Sequence, residues 1–134
     1  MKNNSTNKNN RNLLTTSQMV NLNNLGLVDV GERLKCEHIE FSIQELLQIL
    51  PGCIVKDETM YTMYVYKTAF DVIAIQYKNP TFVGDYIYRK GCLEAKYNEE
   101  VGNFVDLLYD CLLWVNENYP EYLEDYKNSI KNNN

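Results

Sequence analysis

Apolar residues recur along this chain with two spacings, and the change from one to the other divides it into elements. "LLTTSQMVNLNNLG" begins with a helix start and ends with a stop. With Thr15 as N-cap, Gln18 falls at the third helical position and completes a capping box, and Leu14 and Met19 form the hydrophobic staple around it. Gly26 follows Leu25 as the C-terminal stop. "EFSIQELLQILPG" repeats the logic: Ser42 caps, Glu45 closes the box, Phe41 and Leu46 staple it, and Pro51-Gly52 ends the helix. Leu46, Leu47, Ile49 and Leu50 supply its buried stripe. Between the two helices "LVDVGERLKCEHIE" has no clear period and reads mostly as loop.

The period then changes to two. "CIVK" (53–56) reads as a short strand entering a sheet. "MYTMYVYK" (60–67) and "DVIAIQYK" (71–78) are rich in aromatic and β-branched residues and read as an antiparallel hairpin across "TAF". On the second strand Ile73, Ile75 and Tyr77 share one face, and Val72, Ala74 and Gln76 the other. "NPTFVGDYIYRKG" holds Asn79-Pro80, Gly84 and Gly91 and reads as turn and loop with a short edge strand at most. "CLEAKY" (92–97) is the last strand candidate.

The helical period returns in "NEEVGNFVDLLYDCLLWVNENYPEYLEDY" (98–126), which contains no Lys or Arg. Asn98 is the expected cap, with Glu99 and Glu100 on the first turn, where the helix dipole favours negative charge. Val101, Phe104, Val105, Leu108, Cys111, Leu112 and Val115 are expected to face the sheet. Glu99, Asp106, Asp110 and Glu117 are expected on the opposite side. Pro120 ends this helix or opens the next, and "PEYLEDYKNSI" then forms a short amphipathic helix with Tyr122, Leu123, Tyr126 and Ile130 inward. The fold expected is α+β: a small antiparallel sheet of three to five strands, short N-terminal helices, and one long C-terminal helix packed on the sheet.

Composition refines this picture. The 134 residues are 45% hydrophobic and 23% charged, with eleven tyrosines and three prolines, which suits one globular domain. That domain is expected over 13–126. The Asn-rich "MKNNSTNKNNRN" (1–12) offers nothing to bury, and it and the Asn-rich tail 127–134 are expected to be disordered. The net charge is -5, but Lys2, Lys8 and Arg11 make the first twelve residues +3, so the rest of the chain carries -8. An acidic body repels a phosphate backbone and an anionic membrane surface, so neither general nucleic-acid binding nor membrane binding is expected. No apolar stretch follows the basic N-terminus and none approaches the length of a bilayer span, so a cytoplasmic protein is expected. Cys36, Cys53, Cys92 and Cys111 form no C-x-x-C pair and are expected as reduced, buried small hydrophobes.

Candidate chemistry is sparse. His38 is the one histidine, and Cys36-x-His38 supplies two ligands where a metal site needs three or four. No glycine-rich phosphate loop occurs. Asp106 and Asp110 lie one turn apart, a spacing that permits acid/base work but far more often marks a solvated stripe. The tyrosines point further. Tyr61, Tyr64, Tyr66 and Tyr77 lie on adjacent strands, and both strands are apolar on both faces while the chain offers few long helices to cover them. Aromatic residues left exposed mark a partner surface. Trp114 lies beside the acidic line and joins the patch or packs beneath it. The residues expected to bind a partner are therefore Tyr61, Tyr64, Tyr66, Tyr77, Asp106, Asp110 and Trp114. No cofactor, metal or catalytic residue is expected.

The order of these signals resembles that of small uncharacterised proteins encoded by phages and prophages of gut Bacteroidales. The shared pattern is a T-x-x-Q-type start, then F-S-hydrophobic-x-E-L-L-x-x-L-P, then D-x-L-Y-x-x-L-x-W-hydrophobic-x-E-N-x-Y. Phe41, Ser42, Glu45, Leu46, Leu47, Leu50 and Pro51 match the second motif. Asp106, Leu108, Tyr109, Leu112, Trp114, Glu117, Asn118 and Tyr119 match the third. The resemblance covers most of 13–119, and Pro120 departs from the group's usual ending. It implies a phage or prophage accessory protein in the host bacterial cytoplasm and carries no activity to transfer. The function expected is a non-enzymatic protein-interaction module acting on a host or phage protein, with a homodimer also compatible. The alternatives are a small-ligand binding or sequestering protein with a tyrosine-lined pocket, and an acidic mimic of nucleic acid.

Overall fold

The local signals at the N-terminus act as their chemistry dictates. The structure, a computed structural model, describes residues 12–35, 40–67, 72–93 and 103–132. Thr15 Oγ1 accepts the Gln18 N–H at 3.1 Å and Gln18 Oε1 accepts the Thr15 N–H at 2.9 Å, which opens α1 (Thr16–Asn24). At its end Gly26 takes φ +79°, a conformation costly for any residue with a Cβ. Leu27 N–H then reaches the Leu22 carbonyl (2.9 Å) and Gly26 N–H the Asn23 carbonyl (3.1 Å). This is a Schellman closure, with Leu22 and Leu27 both fully buried at its hydrophobic contact.

The stretch read as loop contains a helix, α2 (Val30–Lys35). Asp29 Oδ1 accepts the Glu32 N–H at 2.9 Å and sustains it, and six residues are too few to display a period. Arg33 then donates to the Glu45 carboxylate and to the Glu40 carbonyl, both at 2.6 Å, and lies 4.5 Å over the Phe41 ring. It thereby ties α2 to the start of α3 (Ile43–Ile49), which Ser42 and Glu45 cap reciprocally. Leu46, Ile49 and Leu50 are buried, as spacings of three and four require. Leu47 falls outside that arc and is exposed, contrary to the stripe expected from sequence.

Four strands follow in chain order and pair in that order, all antiparallel: β1 (Cys53–Lys56), β2 (Thr59–Lys67), β3 (Val72–Lys78) and β4 (Tyr86–Leu93). Asp57 and Glu58 join β1 to β2 with φ +52° and +67°, the two left-handed positions of a type I′ turn. The region read as loop with a short edge strand is a full eight-residue strand, β4, with a register shift opposite Tyr77/Lys78. Of the strand candidate 92–97, positions 94–97 lie outside the described residues.

The long helix also differs from expectation at its start. α4 (Phe104–Asn118) begins after Asn103, whose N–H donates to Asp106 Oδ2 at 3.1 Å. Asn98, Glu99, Glu100 and Val101 lie outside the described residues. Pro120 opens a 3-10 turn (Pro120–Leu123), and α5 (Glu124–Asn132) runs past the boundary expected at 126. Its Tyr126 and Ile130 are half-buried, and Leu123 before it is fully buried, so this turn and helix bury an apolar side of their own. Most of the Asn-rich tail 1–12, and His38 with Cys36, fall outside the described residues.

The architecture is α+β. α4 packs across β3 and β4 and against α3. Leu22 and Leu46 from α1 and α3, with Leu14 and Phe41 just ahead of their caps, meet Ile54, Ile75 and Tyr77 from the sheet and Val105, Leu108 and Cys111 from α4 in one apolar cluster. No helix among the described residues is long and apolar enough to cross a membrane.

Candidate functional site

Strand alternation sorts the tyrosines before any contact is considered. Tyr61 differs in parity from Tyr64 and Tyr66, so it points to the opposite face of β2. The register pairs Met63 with Tyr77 and Tyr77 with Tyr88, which places Tyr61, Tyr77 and Tyr88 together on the face toward α4. There Tyr77 is fully buried and its hydroxyl donates to the Pro51 carbonyl at 2.7 Å. Tyr61 is buried and its hydroxyl reaches the Asp85 carboxylate at 3.2 and 3.3 Å. Trp114 of α4 stacks over Tyr77 at 5.9 Å and meets Tyr88 at 4.7 Å and Tyr119 at 5.5 Å. These aromatics join sheet to helix, and the four strand tyrosines grouped by sequence are two pairs on opposite faces.

The acidic line is likewise part of the joint, and this corrects the expectation that it faces away from the sheet. Asp110 accepts Tyr88 Oη at 2.8 Å and Lys90 Nζ at 2.9 Å, both from β4. Asp106 accepts Gln18 Nε2 of α1 at 2.8 Å. Next to it Asn21 Nδ2 donates to Tyr109 Oη at 2.7 Å. The buried arc of α4 is wide, with Val105, Leu107, Leu108, Cys111, Leu112 and Val115 all buried, so its neighbours close in on both flanks and reach the carboxylates. Glu117 alone of the expected line is both described and exposed.

Burial sets the proton affinities in this joint. Burial, and then the Asp110 carboxylate accepting its hydroxyl, hold the Tyr88 phenol well above its ordinary value. Burial does the same to Tyr77. The Cys111 thiol is pushed up to about 12, by burial first and by Asp110 second, which leaves it protonated and inert as a nucleophile. Among the described residues no group of three His, Cys, Asp or Glu side chains gathers in a way that could hold a metal. An open groove of about 500 Å³ lies between β4 and α4, with Ile87, Lys90, Leu113 and Trp114 on its walls and Tyr88 as its one tyrosine.

The other face of the sheet is different. Reading the register across the strands gives three outward rows: Cys53–Thr62–Lys78–Tyr86, Tyr64–Gln76–Arg89, and Tyr66–Ala74–Gly91. Arg89 Nη1 donates to Tyr86 Oη at 2.9 Å with the guanidinium 5.3 Å over that ring, and Tyr66 lies beside the same guanidinium. Lys78 Nζ stands 5.5 Å over the Tyr64 ring. Between these long side chains Ala74 and Gln76 are buried, although Ala74 takes no part in the core cluster. The result is a lattice of aromatic rings and cations with fixed partners on both sides.

This face is also where apolar surface stays wet. Tyr64 and Tyr86 are each 39% exposed, Val55 52% and Met60 53%. Val55 and Met60 are a cross-strand pair at the edge of the face. The loop from Lys78 to Tyr86 adds Phe82 and Val83, both largely exposed. That loop is fixed from within: Asn79 Oδ1 accepts the Thr81 N–H and hydroxyl, and Asn79 Nδ2 donates to Asp85. Eleven large apolar side chains are exposed among the described residues, and six of them lie on this face and its loop. The sequence named Tyr64 and Tyr66 as binding residues here and not Tyr86, Arg89, Lys78 or Met60. Tyr86 was read as a loop tyrosine, and Arg89 was passed over, because their strand was read as loop.

The chain was compared with protein-family models, with curated proteins and with solved structures, and it matches none of them.

Proposed function

We propose that this protein is a non-enzymatic interaction module, of the phage or prophage accessory type that its sequence resembles, and that it docks a host or phage protein on the outer face of its sheet. The observation that supports this is the concentration of exposed apolar and aromatic side chains on one rigid face, with Tyr64, Tyr86 and Met60 around Arg89. Tyrosine and arginine are the residues that dominate the binding energy of protein interfaces. Here their conformations are already held, by the Arg89–Tyr86 hydrogen bond and the Lys78–Tyr64 stack, so little ordering remains to be done on binding. The expected carboxylates of Asp106 and Asp110 are engaged within the fold, so the acidic helix supports this reading less than the sheet does.

The test is capture of host proteins by the tagged chain and by two sets of folded variants. Tyr64→Ala and Tyr86→Ala should each abolish capture of a defined protein. Glu117→Lys and Glu121→Lys, which alter exposed acids on the helix side, should retain it. Retention by both tyrosine variants, or loss with the two lysine variants, overturns the proposal.

A further inference from the structure

We infer that the docked partner is an acidic protein segment, whose carboxylates meet Lys78 and Arg89 between the tyrosines; this rests on the docking reading above. The chain as a whole is negative, at -5. The outward rows of the sheet reverse that sign: they hold Lys78 and Arg89 and no carboxylate. Both cations sit against aromatic rings, where a docked chain would exclude water and strengthen their attraction for an anion. Arg89 has five N–H donors, and the Tyr86 hydroxyl engages its guanidinium without exhausting them. The remaining donors suit a carboxylate, and the fixed guanidinium plane sets the angle at which one is received.

Two cations match a few carboxylates and not a polyphosphate. A nucleic-acid strand carries a charge at every nucleotide, and beyond Lys78 and Arg89 this face offers it no further cation among the described residues, while the Asp57–Glu58 turn at its edge, beside the exposed Val55–Met60 pair, is acidic. Repulsion from the rest of the acidic body is screened beyond about 8 Å at physiological salt, so the charges in direct contact decide the sign. The apolar positions around the cations, Met60, Tyr64 and Tyr86, call for apolar side chains alternating with the acids. An extended segment offers that alternation.

The experiment is selection from a random peptide display library on the immobilised full-length chain, followed by solution binding of the winning peptides and of oligo-dT. Peptides enriched in Asp and Glu, weakened about tenfold or more by Lys78→Glu and by physiological against low salt, support the inference. Arg89→Lys, which keeps the charge and loses the planar fork, should weaken the same peptides less than Arg89→Gln does. Circular dichroism confirms that each variant is folded. Peptides that need Tyr64 and show no acidic bias overturn the acidic partner and leave the docking face standing. Peptides indifferent to Tyr64→Ala and Lys78→Glu, or no enrichment at all, overturn both. Oligo-dT binding more tightly than every selected peptide overturns the inference in favour of nucleic acid.

Discussion

Removing the Asp110 carboxylate should loosen β4 from α4 by an amount that can be worked out from its two partners. Tyr88 Oη donates to it at 2.8 Å and Lys90 Nζ at 2.9 Å. A hydrogen bond to a charged acceptor contributes about 1.5–3 kcal/mol. The Asp110 side chain is 42% exposed, so the low end applies. Lys90 is more exposed still, and such a pair adds about 0.5 kcal/mol. Asp110→Ala should therefore cost about 2 kcal/mol, which lowers Tm by roughly 7 °C for a chain of this size. Tyr88→Phe breaks the same hydrogen bond but leaves a carboxylate that water and Lys90 still reach, so it should cost about 1 kcal/mol. The double variant should then cost about 2 kcal/mol, because the shared bond is lost only once, and the coupling is about 1 kcal/mol. Urea and thermal unfolding followed by Trp114 fluorescence reads this directly, since the indole lies 4.7 Å from the Tyr88 ring. The reasoning is refuted if Asp110→Ala stays within about 0.5 kcal/mol of the parent, as a solvated surface acid would, or if the two single costs simply add.

Three further outcomes follow from other parts of the fold. Glu58→Gly should stabilise the chain by about 1 kcal/mol, since residue 58 sits at φ +67° in a type I′ turn where glycine is at ease; an unchanged or lower urea midpoint refutes it. Ser42→Ala should cost about 1 kcal/mol by removing one half of the α3 capping box, and Ser42→Asp should restore most of it; equal stability of all three chains refutes the cap's role. Stability should fall at alkaline pH. Cys111 ionises near 9.0 when unfolded and at about 12 when folded. Between those values unfolding releases a proton, and each pH unit removes up to about 1.4 kcal/mol. Tyr77 and Tyr88, both raised above their ordinary 10.0, steepen the loss above pH 10. Cys111→Ala should flatten the first part of that decline, and a urea midpoint constant from pH 8 to 11 would falsify the assignment.

The parts of the fold that sequence made legible are those whose signal is local. The boxes at Thr15/Gln18 and Ser42/Glu45 each satisfy backbone donors within four residues, so their chemistry is complete in a short window. β2 and β3 were legible because their β-branched and aromatic runs are unbroken. β4 was not, since Arg89, Lys90 and Gly91 interrupt its alternation, and an edge strand tolerates such residues because one side faces water. α4 was expected to start at Asn98 and is capped at Asn103; each asparagine is followed by an acid within three residues, so local sequence does not choose between them. The candidate site was half legible for a related reason. Parity alone separates Tyr61 from Tyr64 and Tyr66, but the side on which Tyr77 falls depends on cross-strand register. In the same way, the periodicity of α4 places Asp110 beside its apolar arc without saying that β4 approaches from that flank.

The clasp between α1 and α4 has a consequence for how this chain is made. Gln18 to Asp106 and Asn21 to Tyr109 both link positions 88 apart, whereas every strand of the sheet pairs with the strand just before it. On the ribosome the sheet can therefore zip up hairpin by hairpin as it emerges. α1, synthesised first, cannot close this clasp until the chain is nearly complete, roughly ten seconds later at about ten residues per second. Through that interval the Gln18 and Asn21 side chains lack their α4 partners, while the Leu14 N–H can already reach the Phe41 carbonyl. In refolding, the same order means that the oldest part of the chain is the last to lock. Pulse-labelled hydrogen exchange should find the α1 amides protected after those of β2 and β3, and simultaneous protection would refute this order.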